Sequence, residues 1–360
     1  MDIDIILEPD VTPGQMAELA VTAEKMGIRA LWSSNYHQNF DPFLSLVPAA
    51  QVTSKIILGA LAVSPWELHP LKMATTLLTL NEIANGRAMV AISGGGGALS
   101  ACGWKIRPDG PVWPIKDEVK GQRYPERRVA GVRECIDVLE LARSGKMAFS
   151  YEGSIFHVTR PFQMDWAKSS GPLIYGCCSG PMMIRMGARV ADGIQVSDFT
   201  PEMMPDAMEN VDAGLAKREK PADDFRIGNF WAWHIKKDKE VSMYEARREL
   251  IWRGAIAAKY EHEIGAFASD DEVQLVIDNW DSFFKAFWTR SGQIDGVPEG
   301  LVNRLIAGMS SAGDFGDIER EMERYRQFEN SGLTELSLRL FDDPMDGLRM
   351  IGEHVLPAFR

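Results

Sequence analysis

Short apolar runs alternate along this chain with longer stretches whose apolar residues recur every three to four positions. The runs at 3–7, 29–33, 55–61, 88–92, 172–176, 193–197, 226–235 and 335–341 read as eight buried strands. Helical periodicity fills 70–85, 126–143, 181–191 and 344–356, and a largely helical stretch rich in Trp and Phe covers 243–287. Thr12 before Pro13 predicts a helix start, because the Thr oxygen can cap free amides and Pro fits the first turn. Met16, Leu19, Ala20 and Ala23 then repeat at helical spacing, and Gly27 stops the helix. Residues 150–158 read as a small hairpin around Gly153.

Eight strands, each followed by a helix or a helical excursion, predict a closed parallel (β/α)8 TIM barrel with insertions. A doubly wound open sheet is the alternative, weakened because no GxGxxG follows the first strand. No linker separates the halves. The 360 residues therefore read as one domain, 1–360, with insertions at about 98–125 and 243–303. The segment 107–125 is rich in Pro, Gly and charge and reads as a long functional loop.

Charge narrows the partners. Thirty-nine Lys and Arg against 51 Asp and Glu leave a net charge of −12, which disfavours nucleic acid or an anionic membrane as the main partner. No run approaches the ~18–20 apolar residues of a membrane span. The first residues carry acids and no basic leader, so a secretory signal is not expected and a reducing cytoplasm is. Four cysteines make no disulfide framework, and Cys102 and Cys135 read as ordinary buried thiols.

In a barrel of this type chemistry sits in the loops that follow the strands. Glu8 follows the first strand, as a general acid or a solvated rim carboxylate. Asn35, Tyr36 and His37 follow the second, and His37 either shuttles a proton or is an idle loop histidine. Ala62, Val63, Ser64 and Trp66 follow the third, where small residues let a flat ring approach and Trp66 could wall a cavity. Ser93, Gly94, Gly95 and Gly96 begin a glycine run after the fourth, whose amides can point at a ligand. Cys177, Cys178, Ser179, Gly180 and Pro181 form a turn into a helix after the fifth, a site suited to phosphate. Without a CxxC pair or clustered histidines, no metal site is expected. Trp231 and Trp233 share one face of the seventh strand, either inside the barrel near a ring ligand or against the outer helices. With Trp66, they are the candidate substrate contacts.

In order and spacing these segments resemble the luciferase-like flavin and deazaflavin oxidoreductases. The resemblance rests on LLTLNEIANGRAMVAISGGGG at 77–97, the helix and hairpin spanning 124–158, and the ending GEHVLPAFR. Within that superfamily YGCCSGPMMIRMGARVADGIQVS is most similar to methylenetetrahydromethanopterin reductase-like members, which use coenzyme F420. The resemblance implies a coenzyme F420-dependent oxidoreductase that transfers a hydride between the deazaflavin C5 and an organic substrate. An FMN-dependent monooxygenase and a non-catalytic flavin-binding relative are the alternatives. It further implies a non-prolyl cis bond between Ala62 and Val63, ring and ribityl contacts from Ser93 to Gly96, and phosphate held by the backbone amides of Cys177 to Pro181. Asn35, Tyr36 and His37 stand where relatives often show Asp-His, so the proton donor differs, and His37 is the candidate. A bulky, partly apolar small substrate and a homodimer complete the expectation.

Overall fold

A computed structural model describes residues 1–105 and 123–359. The segment 107–122 of the expected long loop lies outside the described residues, so that expectation is not addressed. Eight strands form a closed barrel: β1 (Asp2–Leu7), β2 (Ala30–Ser34), β3 (Ile57–Val63), β4 (Ala88–Ile92), β5 (Leu173–Cys177), β6 (Gly193–Ser197), β7 (Arg226–Ala232) and β8 (Glu335–Leu340). Consecutive strands neighbour one another around the barrel, and β8 closes on β1. Every register from β1 to β6 is parallel. The expected (β/α)8 architecture is therefore the observed one. β4 and β6 have the expected bounds, and the other strands differ from expectation by three residues or fewer at either end. Helices at Val47–Val52, Met204–Leu215 and Ile318–Asn330 add to those expected.

Internal packing divides the chain into two compact units, one of residues 2–196 with 206–228, the other of residue 1 with 197–205 and 229–360. In the first unit large and small residues alternate inside the sheet. Trp32 meets Tyr175 edge to face with ring centroids 5.7 Å apart, and its indole N–H donates to Asp4 at 3.1 Å. A Cβ on Gly59 would stand 2.3 Å from the Trp32 ring, and one on Gly193 would stand 2.7 Å from Tyr175, so glycine is required opposite each aromatic. Arg29 forks onto the buried Asp4, which satisfies the carboxylate. The helix Pro13–Met26 starts as expected: Thr12 and Gln15 form a reciprocal capping box, and Gly27 ends the helix at φ 84°.

Two glutamates pin loops of this unit. Glu24 accepts the amides of Ser54, Lys55 and Ile56 and sets the start of β3. Glu134, on the helix Arg128–Arg143, accepts the amides of Ser154, Ile155 and Phe156 and holds the expected hairpin of Tyr151–Glu152 with His157–Val158.

The second unit carries the largely helical insert, from Lys239–Glu249 to Glu299–Met309. Its interior holds several buried charged clusters, among them one around Glu321. Glu321, fully buried, accepts from Ser311 Oγ at 2.7 Å, Arg320 Nε at 2.9 Å and Arg324 Nη1 at 2.8 Å, so its charge is compensated. Trp231 donates its indole N–H to Ser311 Oγ at 2.9 Å, meets Phe328 edge to face, and lies under the Arg324 guanidinium. Phe328 and Arg324 belong to the helix Ile318–Asn330 that precedes β8. Trp233 is 1% exposed and packs near Gly347 of the helix Pro344–Met350. Both indoles therefore face helices. The expectation that Trp231 and Trp233 contact substrate is corrected: alternation placed them on one face, and that face is the outer one. Among the described residues no helix is long and apolar enough to cross a membrane.

Candidate active site

The carboxyl ends of β1 to β5 lie side by side, and the loops leaving them carry the expected site residues. Register places Leu7 beside Ser33, Ser34 beside Leu61, Val63 beside Ile92, and Ile92 beside Gly176. The glycine run after β4 and the turn after β5 therefore leave the same edge of the sheet. They also meet. A Cβ on Gly94 would stand 3.3 Å from Cδ of Arg128 and 3.5 Å from Cε of Met183, so Arg128 and the first turn of the helix Pro181–Val190 wall this glycine. Gly95 adopts φ 100°, where L side chains are strained, and its amide bonds Ser93 Oγ at 3.2 Å. Gly96 and Gly180 have open space where a side chain would stand.

The helix Pro181–Val190 begins at Gly180 with no side-chain cap. Two of the expected phosphate donors are withdrawn. The Cys178 amide is spent on Gln195 O of β6 at 2.8 Å, and Pro181 has no N–H. Cys178 is buried, and its thiol donates to Met183 O at 3.3 Å beneath Gly187, so it faces the packing and not the loop. Burial pushes that thiol far above its ordinary pKa. The amides of Ser179, Gly180 and Met182 are left at the helix start, where its dipole favours an anion. Cys177, half-buried, ends β5 beside them.

β3 is bulged at its end. Between Ala60 and Val63 it takes three steps while β4 takes two, from Val90 to Ile92. The non-prolyl cis bond is Leu61–Ala62, which corrects the expected Ala62–Val63 by one residue. Three consecutive carbonyls there are each claimed by a neighbour: Leu61 O by Asn35 N at 2.6 Å, Ala62 O by Asn35 Nδ2 at 3.1 Å, and Val63 O by Ser93 N at 3.1 Å. The same Asn35 nitrogen donates to Glu67 Oε1 at 2.5 Å, and Ser64 N donates to that oxygen at 3.0 Å. Burial pushes the Glu67 carboxyl up, while these two hydrogen bonds pull it down by less.

Glu8 and Tyr36, both half-buried, leave the adjacent ends of β1 and β2. Burial and the nearby Glu8 charge raise the Tyr36 pKa, so the phenol keeps its proton at neutral pH. The exposed His37 ring lies 4.4 Å from the Tyr36 ring. Trp66 meets Phe156 edge to face at 5.6 Å and lies over Gly131, where a Cβ would stand 2.4 Å from Cη2. Its half-buried ring packs between helix and hairpin. Cys102 is exposed at the end of the helix Gly97–Ala101, correcting the expectation of a buried thiol; Cys135 is buried as expected. Among the described residues no cluster of His, Cys, Asp or Glu is placed to hold a metal. Glu67 and Arg128 were not foreseen from sequence. The Ser-x-x-Glu spacing of Ser64 and Glu67 is a local signal for their turn, but the contacts of Glu67 with Asn35 and of Arg128 with Gly94 span more than thirty residues of chain.

The arrangement fits a flat ring with an anionic tail. Small residues border the β3 bulge and the β4 loop, and unspent amides collect where the helix after β5 starts, with the Arg128 side chain adjoining. Comparison with known proteins shows the family and the fold. A family model described as luciferase-like monooxygenase matches residues 3–335. The 5,10-methylenetetrahydromethanopterin reductase of Archaeoglobus fulgidus is 24% identical over 367 residues, with 100% of both chains covered. The F420-dependent glucose-6-phosphate dehydrogenase of Nakamurella multipartita is 26% identical over 97% of this chain and 93% of its own. The solved coenzyme F420-dependent tetrahydromethanopterin reductase of Methanopyrus kandleri superposes with a TM-score of 0.77 at 21% identity, covering 100% of this chain and 99% of that one. The chain belongs to the luciferase-like monooxygenase family.

Proposed function

We propose that this protein is a coenzyme F420-dependent oxidoreductase acting on a small organic substrate, with the deazaflavin seated across the carboxyl ends of β3, β4 and β5. The observation that carries the reading is the meeting of Gly94, Arg128 and Met183, which joins the glycine run to the start of the helix after β5. The relatives named for F420 support the choice of cofactor. When bound, the deazaflavin supplies or accepts a hydride at its C5. The chain's own share is positioning and proton supply. Ala62, Val63 and Ser64 back the ring, and Ser93 to Gly96 border it. The amides of Ser179, Gly180 and Met182, with Cys177 beside them, receive the phosphate. Glu8, Tyr36 and His37 form the proton-handling group. Tyr36 holds a proton at neutral pH, and the exposed His37 ring lies 4.4 Å from its ring.

Reconstituting the purified protein with F420 and with FMN, and measuring each affinity by fluorescence titration, tests the reading. Tight F420 binding supports it. Tight FMN binding without F420 binding overturns it in favour of a monooxygenase, the activity in the family's description, and oxygen consumption with reduced FMN then identifies that activity. The proposal includes a homodimer, which sedimentation velocity checks.

A further inference from the structure

The proposed function leaves one carboxylate at the ring-side wall without a role. Among the described residues Glu67 carries no ion pair; its hydrogen bonds run to the Asn35 amide and the Ser64 N–H. We propose that Glu67 is a positioning residue for the cofactor: through the side chain of Asn35 it fixes the bulge carbonyls of β3 against which the ring is placed, and it does so as a carboxylate. The inference rests on the proposed seat of the ring at this bulge.

A bulged strand loses part of its ladder, so its carbonyls need partners from elsewhere. Here Ala62 O finds Asn35 Nδ2. A primary amide can present either its nitrogen or its oxygen, and nothing at Ala62 O other than a donor is tolerated. Glu67 decides which. An ionised carboxylate only accepts, so Oε1 at 2.5 Å requires Nδ2, and both hydrogens of that nitrogen are then used, one on Glu67 and one on Ala62. Glu67 is itself held by a tight turn, since its own amide and that of Leu68 bond Ser64 O at 3.1 and 3.0 Å, while Ser64 N returns to Oε1. The circuit Ser64, Glu67, Asn35, Ala62 closes on itself.

Protonation weakens this circuit: with the proton on Oε2, Oε1 still accepts from Asn35 and Ser64, but as a neutral carbonyl without the charge that strengthens both bonds. Burial raises the Glu67 pKa, so the clamp is charge-assisted above that raised value and weakens as pH falls through it, at a higher pH than for an exposed glutamate. Among the described residues the groups facing Glu67 are the neutral Asn35 from the β2 loop, Ser64 from its own turn, and Cys102 at the end of the helix after β4. Burial and the Glu67 charge raise the Cys102 pKa, so that thiol stays neutral across the acid range.

The experiment measures F420 affinity by fluorescence titration and the absorption band of the bound cofactor, from pH 7.5 downward, for the wild type, Glu67→Gln and Glu67→Ala, together with the melting temperature of each cofactor-free protein. The wild type should lose affinity on acidification. Glu67→Ala should bind about tenfold more weakly at neutral pH, as expected for losing a charge-assisted hydrogen bond, with a shifted band. Glu67→Gln should melt close to the wild type and lose the acid limb of the pH profile. The Asn35→Ala and Glu67→Ala effects should not add. Wild-type affinity and an unaltered acid limb in Glu67→Gln overturn the inference while leaving the proposed function standing. A wild type that binds no F420 overturns both. If Glu67→Ala does not fold, the pH profile of Glu67→Gln still decides.

Discussion

Gly94 faces the Arg128 side chain across 34 residues of chain, with room for a methyl group only if a neighbour yields by a few tenths of an ångström. A Cβ on Gly94 would meet Cδ of Arg128 at 3.3 Å and Cε of Met183 at 3.5 Å. Both neighbours are flexible, so alanine should be accepted with shifts of a few tenths of an ångström. Valine adds two methyl groups that fill the gap. Gly94→Ala should therefore keep F420 affinity within about threefold, and Gly94→Val should weaken it by more than about thirtyfold, a loss of about 2 kcal/mol. The loop is half-buried, so the melting temperature should change little in either. Fluorescence titration checks this; a valine variant that binds like the wild type removes the cofactor from this gap.

The contact of Trp66 with Gly131 predicts a stability effect with a specific rescue. A methyl group at Gly131 would stand 2.4 Å from Cη2 and 2.6 Å from Cζ2 of Trp66, too close for either to remain. Gly131→Ala should destabilise by about 1–3 kcal/mol, the usual cost of overpacking, despite alanine's better helix propensity. Trp66→Leu in the Gly131→Ala background should recover part of that loss, with a coupling of about 0.5–3 kcal/mol. Urea unfolding of the four proteins in the cycle measures it. Additive effects would mean that the indole does not lie over Gly131.

These two contacts show where sequence stops being informative. The start and stop of the first helix were legible because each signal is local: Thr12 acts on Gln15, and Gly27 on Ala23 and Glu24. The glycine run after β4 was legible for the same reason. The end of β3 was not: it runs two residues beyond the expected Leu61, because donors from Asn35 and Ser93 on neighbouring strands organise the bulge. The role of Glu67 stayed hidden because the Asn35 amide it holds lies 32 residues away, although its bond with Ser64 is local. Alternation put Trp231 and Trp233 on one face but could not say which face is inside, as both sides of a barrel strand are apolar.

Trp231 should accordingly behave as a structural residue. Its indole N–H bonds Ser311 Oγ, which also serves Glu321 and Tyr325 in a fully buried network. Trp231→Phe removes a donor and part of a large buried surface, so stability should fall by about 1–3 kcal/mol. Cofactor affinity and kcat/KM should stay within about twofold of the wild type. Thermal unfolding and steady-state kinetics on one preparation decide. A tenfold change in KM with an unchanged melting temperature would return this ring to the substrate.

Glu134 supplies an acid-sensitive element remote from the site. Burial alone would push its carboxyl up, but Ser154 Oγ and the amides of Ser154, Ile155 and Phe156 all donate to it and hold its pKa below the ordinary glutamate value. A carboxylate with a depressed folded-state pKa stabilises the fold above its unfolded value and loses that contribution as pH falls through the folded one. Glutamine would turn an N–H₂ toward these donors and lose at least one of the bonds. Glu134→Gln should therefore cost about 1–3 kcal/mol at neutral pH. The gap between variant and wild type should begin to close below about pH 4.3, the ordinary glutamate pKa, and should vanish below the depressed folded value. Denaturant unfolding at stepped pH measures that gap. A difference that stays constant down to the acid unfolding limit would show that the hairpin is held by something other than the Glu134 charge.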